Sequence, residues 1–369
     1  MMHLARLTIM ILCTAMQPAA ADDFYREELR IPMAEAGPRG LEALLIRPSG
    51  SGRYPLALIS HGTPHQADDR SGYSPYVLEP HAIEFARRGF AALVVLRRGY
   101  GGSDGGYAED FSSHLASARV AANDLRAAVA AMDSRSDVTT QGMIAVGVST
   151  GGLASIALSE NPPPGLAAVI NFAGGRRSSD PAKSGTGDLK DEDALVGAFA
   201  TIGLTSRTPM LWVYAANDPY YGPELLRRLL AVFTAGGGRA QLIDAPAFRN
   251  DGHKLFSGAG IPIWIPLVDV FLREQHLGTI DLLAVPLAPN LPFPPQVNDM
   301  GRAGFADYLA EGRHKAFAAS PKGAFGYSFG WRTVAEAQRR ALAFCKRDPD
   351  CVPYAIDDEL VSKDSAEAP

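Results

Sequence analysis

Short, fully apolar runs and longer segments of helical periodicity take turns along most of the chain. Pro55–Ser60 and Phe90–Leu96 are too short for helices and rich in aliphatic residues, which predicts strands buried on both faces. Met143–Val148, Leu166–Phe172, Pro209–Tyr214 and Ala240–Asp244 share that character, and Phe24–Met33 with Leu41–Arg47 predict an antiparallel pair ahead of them. Helical spacing fills the gaps. It covers Tyr76–Arg88, which Gly89 stops, then Leu115–Met132, Leu153–Glu160 and the stretches at about 191–203, 223–235 and 263–275. Strands alternating with helices imply an α/β fold with one mostly parallel sheet, here of eight strands, and helices on both faces. Ligands of such sheets bind outside the carboxyl ends of the strands.

The pattern breaks at both ends. Residues 7–16 are apolar, follow a short segment carrying Arg6, and lead into small residues ending in an Ala-x-Ala pattern at Ala21. That order predicts a secretory signal over residues 1–21, too short in its apolar part to span a bilayer. Residues 22–285 then form the α/β domain. The prolines between Pro286 and Pro295 predict a semi-rigid linker at 286–296, and 297–369 a small C-terminal segment. In that segment Thr333-Val334-Ala335-Glu336 is a capping-box pattern that starts a helix running to about Cys345.

Composition narrows the partners. The 369 residues carry a formal charge of −5 with no block of Lys or Arg, which argues against nucleic acid. No later stretch is long and apolar enough for a membrane span. Cys13 falls within the signal, leaving Cys345 and Cys351, which predict a local disulfide in an oxidising, secreted or periplasmic setting. No histidine follows His314 to complete a metal site with them. Oligomeric state leaves no mark.

Candidate chemistry comes from a G-x-S-x-G pattern, which occurs three times, around Ser103, Ser149 and Ser328. The motif works only where a strand turns sharply into a helix, exposing the hydroxyl and directing the next backbone N–H toward an oxyanion. Ser149 alone follows an apolar strand directly and precedes a helical segment. A serine hydroxyl needs a base to take its proton and an acid to orient that base. His253, in a loop after the last predicted strand, is the candidate base, ahead of His276 and His314. Asp218, just past the strand Pro209–Tyr214, is the candidate acid, with Asp244 and Asp251 as competitors. Two backbone donors must meet the developing charge. Thr150 would supply one, and Thr63, in His61-Gly62-Thr63-Pro64, the other. His61 and His65 are not read as metal ligands, because Pro64 breaks the helix that would align them. No cofactor or metal is called for.

Together with Arg98-Gly99-Tyr100-Gly101-Gly102-Ser103 and Asn217-Asp218-Pro219, these motifs resemble the α/β-hydrolase superfamily over about residues 40–275. The chain is most similar to the dienelactone-hydrolase and acyl-peptidase-like branch. The resemblance implies an α/β-hydrolase fold and a loop of Arg98 and Tyr100 lining the site; apart from it, Arg176 is a further substrate-binding candidate, able to bind a carboxylate. Two positions depart from it. Serine stands at residue 149 where dienelactone hydrolases carry cysteine, and Leu96-Arg97 stands where relatives often carry an aspartate.

Three functions follow. One is a secreted serine hydrolase cleaving esters of small or medium acyl groups, with the polar segment 174–207 covering the site. The second is a peptidase or amidase with the same triad. The third is a binding protein on a hydrolase scaffold, since fold alone does not fix function.

Overall fold

The apolar runs pair into one sheet whose carboxyl edge carries every candidate residue of the triad. The computed structural model describes residues 23–64, 67–107, 113–176, 189–278, 282–284, 290–345 and 348–361. The expected signal at 1–21 and part of the expected linker lie outside these.

In chain order the first unit comprises β1 (Phe24–Ile31), β2 (Leu41–Pro48), β3 (Tyr54–Ser60), α1 (Glu79–Ala86), β4 (Ala91–Val95), α2 (His114–Asp133), β5 (Val138–Val148), α3 (Thr150–Leu158), β6 (Leu166–Phe172), α4 (Leu189–Gly203), β7 (Pro209–Ala215), α5 (Pro223–Ala235), β8 (Arg239–Ala245) and α6 (Ile261–Glu274). The strands order as β1-β2-β4-β3-β5-β6-β7-β8. Only β2 runs against the others; β4, β3 and β5 to β8 pair in parallel. Helices α2 to α5 bury one face and α1 with α6 the other. Trp212 of β7 is wedged between Phe199 of α4 and Phe233 of α5, with ring centres 5.2 and 5.0 Å away. This is the α/β-hydrolase fold.

Two elements differ from the sequence pattern. The helix predicted over 76–88 opens as a single 3-10 turn at Pro75–Leu78, capped by Ser74, before α1 begins. Strand β5 reaches back to Val138, because Val138 and Thr139 pair with Tyr54 and Pro55 of β3 across an irregularity near Gly142.

The C-terminal segment is more than a helix and a disulfide. It holds α7 (Asp299–Ala310), β9 (Ala316–Ala319), β10 (Phe325–Ser328), α8 (Val334–Phe344), β11 (Val352–Ile356) and β12 (Glu359–Leu360). The strands form an antiparallel sheet ordered β10-β9-β11-β12. Side chains alternate along β9: Phe317 and Ala319 pack against α7, while Ala316 and Ala318 pack against α8. Thr333 caps α8 by accepting the Glu336 N–H at 3.2 Å, and Cys345, at the end of α8, is disulfide-bonded to Cys351. Arg313 donates to Glu79 at 2.9 Å and Arg332 to Glu42 at 3.0 Å, so this unit is ionically bound to the larger one.

Candidate active site

Where β5 ends, the chain must reverse into α3 within one residue. Ser149 is that residue, at φ 55° and ψ −123°, a left-handed conformation that costs a side-chain-bearing residue of the order of 1–3 kcal/mol. The surroundings enforce it. A Cβ on Gly151 would lie 2.3 Å from the Ser60 carbonyl oxygen, and a Cβ on Gly62 only 3.1 Å from Cβ of Ser149. Backbone bonds hold the turn: the Ser149 N–H donates to the Phe172 carbonyl at 3.0 Å, and its carbonyl accepts from Gly175 N–H at 3.1 Å. The other two motif serines are anchored to the backbone instead. Ser103 donates to the Leu96 carbonyl at 2.8 Å, and Ser328 to the Ala337 carbonyl at 2.6 Å, both in buried positions.

Asp218 follows β7, and its side chain is fully buried, with Oδ1 accepting from the N–H groups of Tyr220 and Tyr221 at 2.8 and 3.2 Å. Its Oδ2 lies 2.9 Å from Nδ1 of His253. A carboxylate can only accept, so Nδ1 carries the proton and Nε2 is left as the basic nitrogen. Asn217 fastens the two loops: its Oδ1 accepts from Phe248 N–H at 2.9 Å, and its Nδ2 donates to the Arg249 carbonyl at 3.1 Å. Asp251 takes a different part, accepting the His253 backbone N–H at 3.0 Å. Ser149 and His253 line one cavity of about 520 Å³ with Gly62 and Thr63. No hydrogen bond joins the Ser149 hydroxyl to His253 here; such contacts tighten when substrate is bound.

The oxyanion candidates meet through their side chains. Thr63 Oγ1 lies 2.9 Å from Thr150 Oγ1 and 3.0 Å from the Tyr100 hydroxyl. Tyr100 is fully buried, its ring edge-on to His61 at 4.3 Å. His61 is held neutral: burial first, and the Arg97 charge second, push its pKa well down. The substrate-binding expectations fare differently. Arg98 is turned away to buried Asp124, which accepts its backbone N–H at 2.8 Å and its Nε at 2.7 Å. Arg176 exerts its charge on His114, beside Asp191. Neither arginine lines the cavity.

One wall was not foreseen. Asp307 and Glu311, flanking the end of α7, line the cavity together with Tyr327 and Phe329 from the second unit. Asp307 is ion-paired with Arg249. Burial pushes the Glu311 carboxyl up to about 8, against the opposing charges of Lys315 and Arg249 and the Gly258 N–H. No sequence motif marks these residues, because they reach the cavity only through the packing of one unit on the other. Among the described residues, no cluster of three or more His, Cys, Asp or Glu could hold a metal ion, and no helix is long and apolar enough to cross a membrane.

A family model described as X-Pro dipeptidyl-peptidase (S15 family) matches residues 38–229, just over half of the chain. No curated protein matches. Solved structures with a similar fold include an esterase from Pyrococcus furiosus, 14% identical over 68% of this chain and 93% of that chain, with a TM-score of 0.49. A thermophilic esterase from Thermogutta terrifontis, with propionate bound, is 17% identical over 70% of this chain and 96% of its own, at 0.48. A putative dienelactone hydrolase from Klebsiella pneumoniae is 13% identical over 68% of this chain and all of its own, at 0.45.

Proposed function

From the premise that the chain belongs to the X-Pro dipeptidyl-peptidase (S15) family, we propose that it is a serine hydrolase cleaving carboxylic esters of small or medium acyl groups. The observation that carries this is the strained Ser149 facing a cavity it shares with His253, whose Nδ1 is bound to buried Asp218. Ser149 Oγ attacks the ester carbonyl while His253 Nε2 takes its proton, and Asp218 holds the imidazole and balances its charge. The N–H groups of Thr63 and Thr150 receive the oxyanion. The alcohol leaves with the proton from His253, and water, activated by the same base, releases the acyl group. Export of the chain, with Cys345–Cys351 closed in an oxidising compartment, belongs to the same proposal.

The family description favours a second reading, a dipeptidyl-peptidase. Such a substrate presents a free ammonium group, and the cavity wall offers two carboxyl groups. However, Asp307 is already paired with Arg249, and Glu311 remains mostly protonated below about pH 8. A wall of that kind suits an uncharged acyl group better.

A fluorophosphonate probe should label the wild type and not Ser149→Ala; no labelling of the wild type sinks the serine chemistry. A panel of p-nitrophenyl esters should then be cleaved with kcat/KM well above that for X-Pro anilides. The reverse order would establish the peptidase instead.

A further inference from the structure

The cavity's oxyanion side is backed by a fully buried arginine. Arg97 stands just after β4, at a departure from the related motif, and its side chain bonds to every segment that shapes the donors. Nη1 donates to the Ser60 hydroxyl at 2.9 Å and to the His61 carbonyl; Nη2 donates to Thr150 Oγ1 at 2.9 Å. Its backbone N–H donates to Nε2 of His61 at 3.1 Å.

These bonds settle orientation. Because Nε2 of His61 accepts, Nδ1 must carry the proton, and it donates to the Gly62 carbonyl at 2.7 Å. In a planar trans peptide the C=O and the next N–H point in opposite directions. Fixing the Gly62 carbonyl toward His61 therefore directs the Thr63 N–H to the other side of that peptide. The bond to the His61 carbonyl fixes the preceding peptide in the same way. Thr150, whose N–H is the second donor, is held by its hydroxyl. A buried cation is costly to keep, and here its charge lies one hydroxyl away from where negative charge develops. Because Arg97 is buried, water screens its charge less than it would at the surface.

We propose that Arg97 is the positioning residue of the oxyanion hole, orienting both donors and biasing the site electrostatically toward the anionic tetrahedral intermediate. This rests on the serine-hydrolase reading above.

The test compares wild type, Arg97→Met, Arg97→Lys and Thr150→Val. For each, the fraction labelled by the fluorophosphonate probe, kcat and KM on p-nitrophenyl butyrate, the affinity for phenylboronic acid and the melting temperature are measured. Boronic acid forms an anionic tetrahedral adduct with the serine, so it reports the hole itself. Arg97→Met should lower kcat on the order of 10²-fold, as loss of one oxyanion donor does. KM should change by less than about threefold, while boronate affinity falls in parallel with kcat. Lysine, keeping the charge but not the fork, should recover about tenfold. Thr150→Val should lower kcat roughly tenfold, and less than multiplicatively when combined with Arg97→Met, as expected of partners in one network. A folded Arg97→Met with kcat and boronate affinity within about threefold of wild type overturns the inference. If that variant does not fold, Thr150→Val decides: unchanged kcat and boronate affinity overturn it equally. A wild type inert to the probe overturns the serine-hydrolase reading and this inference with it; an active wild type with indifferent variants overturns this inference alone.

Discussion

Individual side chains in the cavity wall make demands of opposite kinds. Glu311 is a carboxyl group buried against the Gly258 turn, and burial raises it from 4.5 to about 8. The folded state thus keeps a proton that the unfolded chain releases, so stability must fall as pH rises through that interval and level off above it. At about 1.4 kcal/mol for each tenfold in proton affinity, the full effect is on the order of 5 kcal/mol. Glu311→Gln removes it. The melting temperatures of mutant and wild type should be close at pH 5 and separate in the mutant's favour by pH 8.5; parallel curves would show that Glu311 is ionised throughout. Asp218, behind His253, is buried too, but two backbone N–H groups and His253 satisfy its side chain. Asp218→Asn should leave the fold intact but present the wrong tautomer of His253, lowering kcat by about 10³- to 10⁴-fold. Asp251 bonds only the backbone of His253, so Asp251→Asn should cost no more than about tenfold. Steady-state kinetics on one ester separates the two; a larger loss at Asp251 would transfer the orienting role to it.

Among elements, those built from consecutive apolar residues were legible and those built from small residues were not. Leu166–Phe172 reads as a strand because neither face of it meets water, and β6 has those bounds. The strand before Ser149, the helix after it and the loop positions of Asp218 and His253 after later strands single out these three, and strand topology gathers them at one sheet edge. Helix α7 escapes the pattern because Gly301 and Gly304 interrupt it; both are small so that Phe325 of β10 can lie against the helix, about 3.0 Å from where each Cβ would stand. Strand β9 is mostly alanine, whose preference for strand is weak, and it is specified by what packs on either side of it. The helix α8 is the exception, announced by Thr333 and Glu336 and closed by the disulfide. A loop this short gives a modest entropic gain, so Cys345→Ser with Cys351→Ser should lower stability by on the order of 2 kcal/mol. Urea denaturation of oxidised, reduced and double-serine forms measures it. Because the pair lies at the far end of α8, kcat on a small ester should barely change.

For the whole molecule, the cavity is lined by both units, so the second unit supplies part of its wall. One of its anchors to the first unit is a buried carboxylate. Glu79, at the start of α1, accepts from Arg26 of β1 at 3.1 Å, and from both the backbone and the side chain of Arg313 at 3.0 and 2.9 Å. Its side chain is 1% exposed. The ring of His314 rests on Tyr76 with centres 4.5 Å apart, beside the same bond. Glu79→Gln keeps the shape but leaves two guanidinium groups facing an amide. Loss of one partner from a buried ion pair costs about 3–5 kcal/mol; Arg313 is partly exposed, so on the order of 2 kcal/mol is expected. Glu79 is not part of the triad, and the chemical step should persist. What should move is selectivity, because Tyr327 and Phe329, which line the cavity, belong to the unit that Arg313 helps to anchor. The ratio of kcat/KM for a long-chain ester over an acetate ester should therefore rise in Glu79→Gln. A ratio unchanged alongside a lowered melting temperature would mean that the wall stays in place without this ionic anchor.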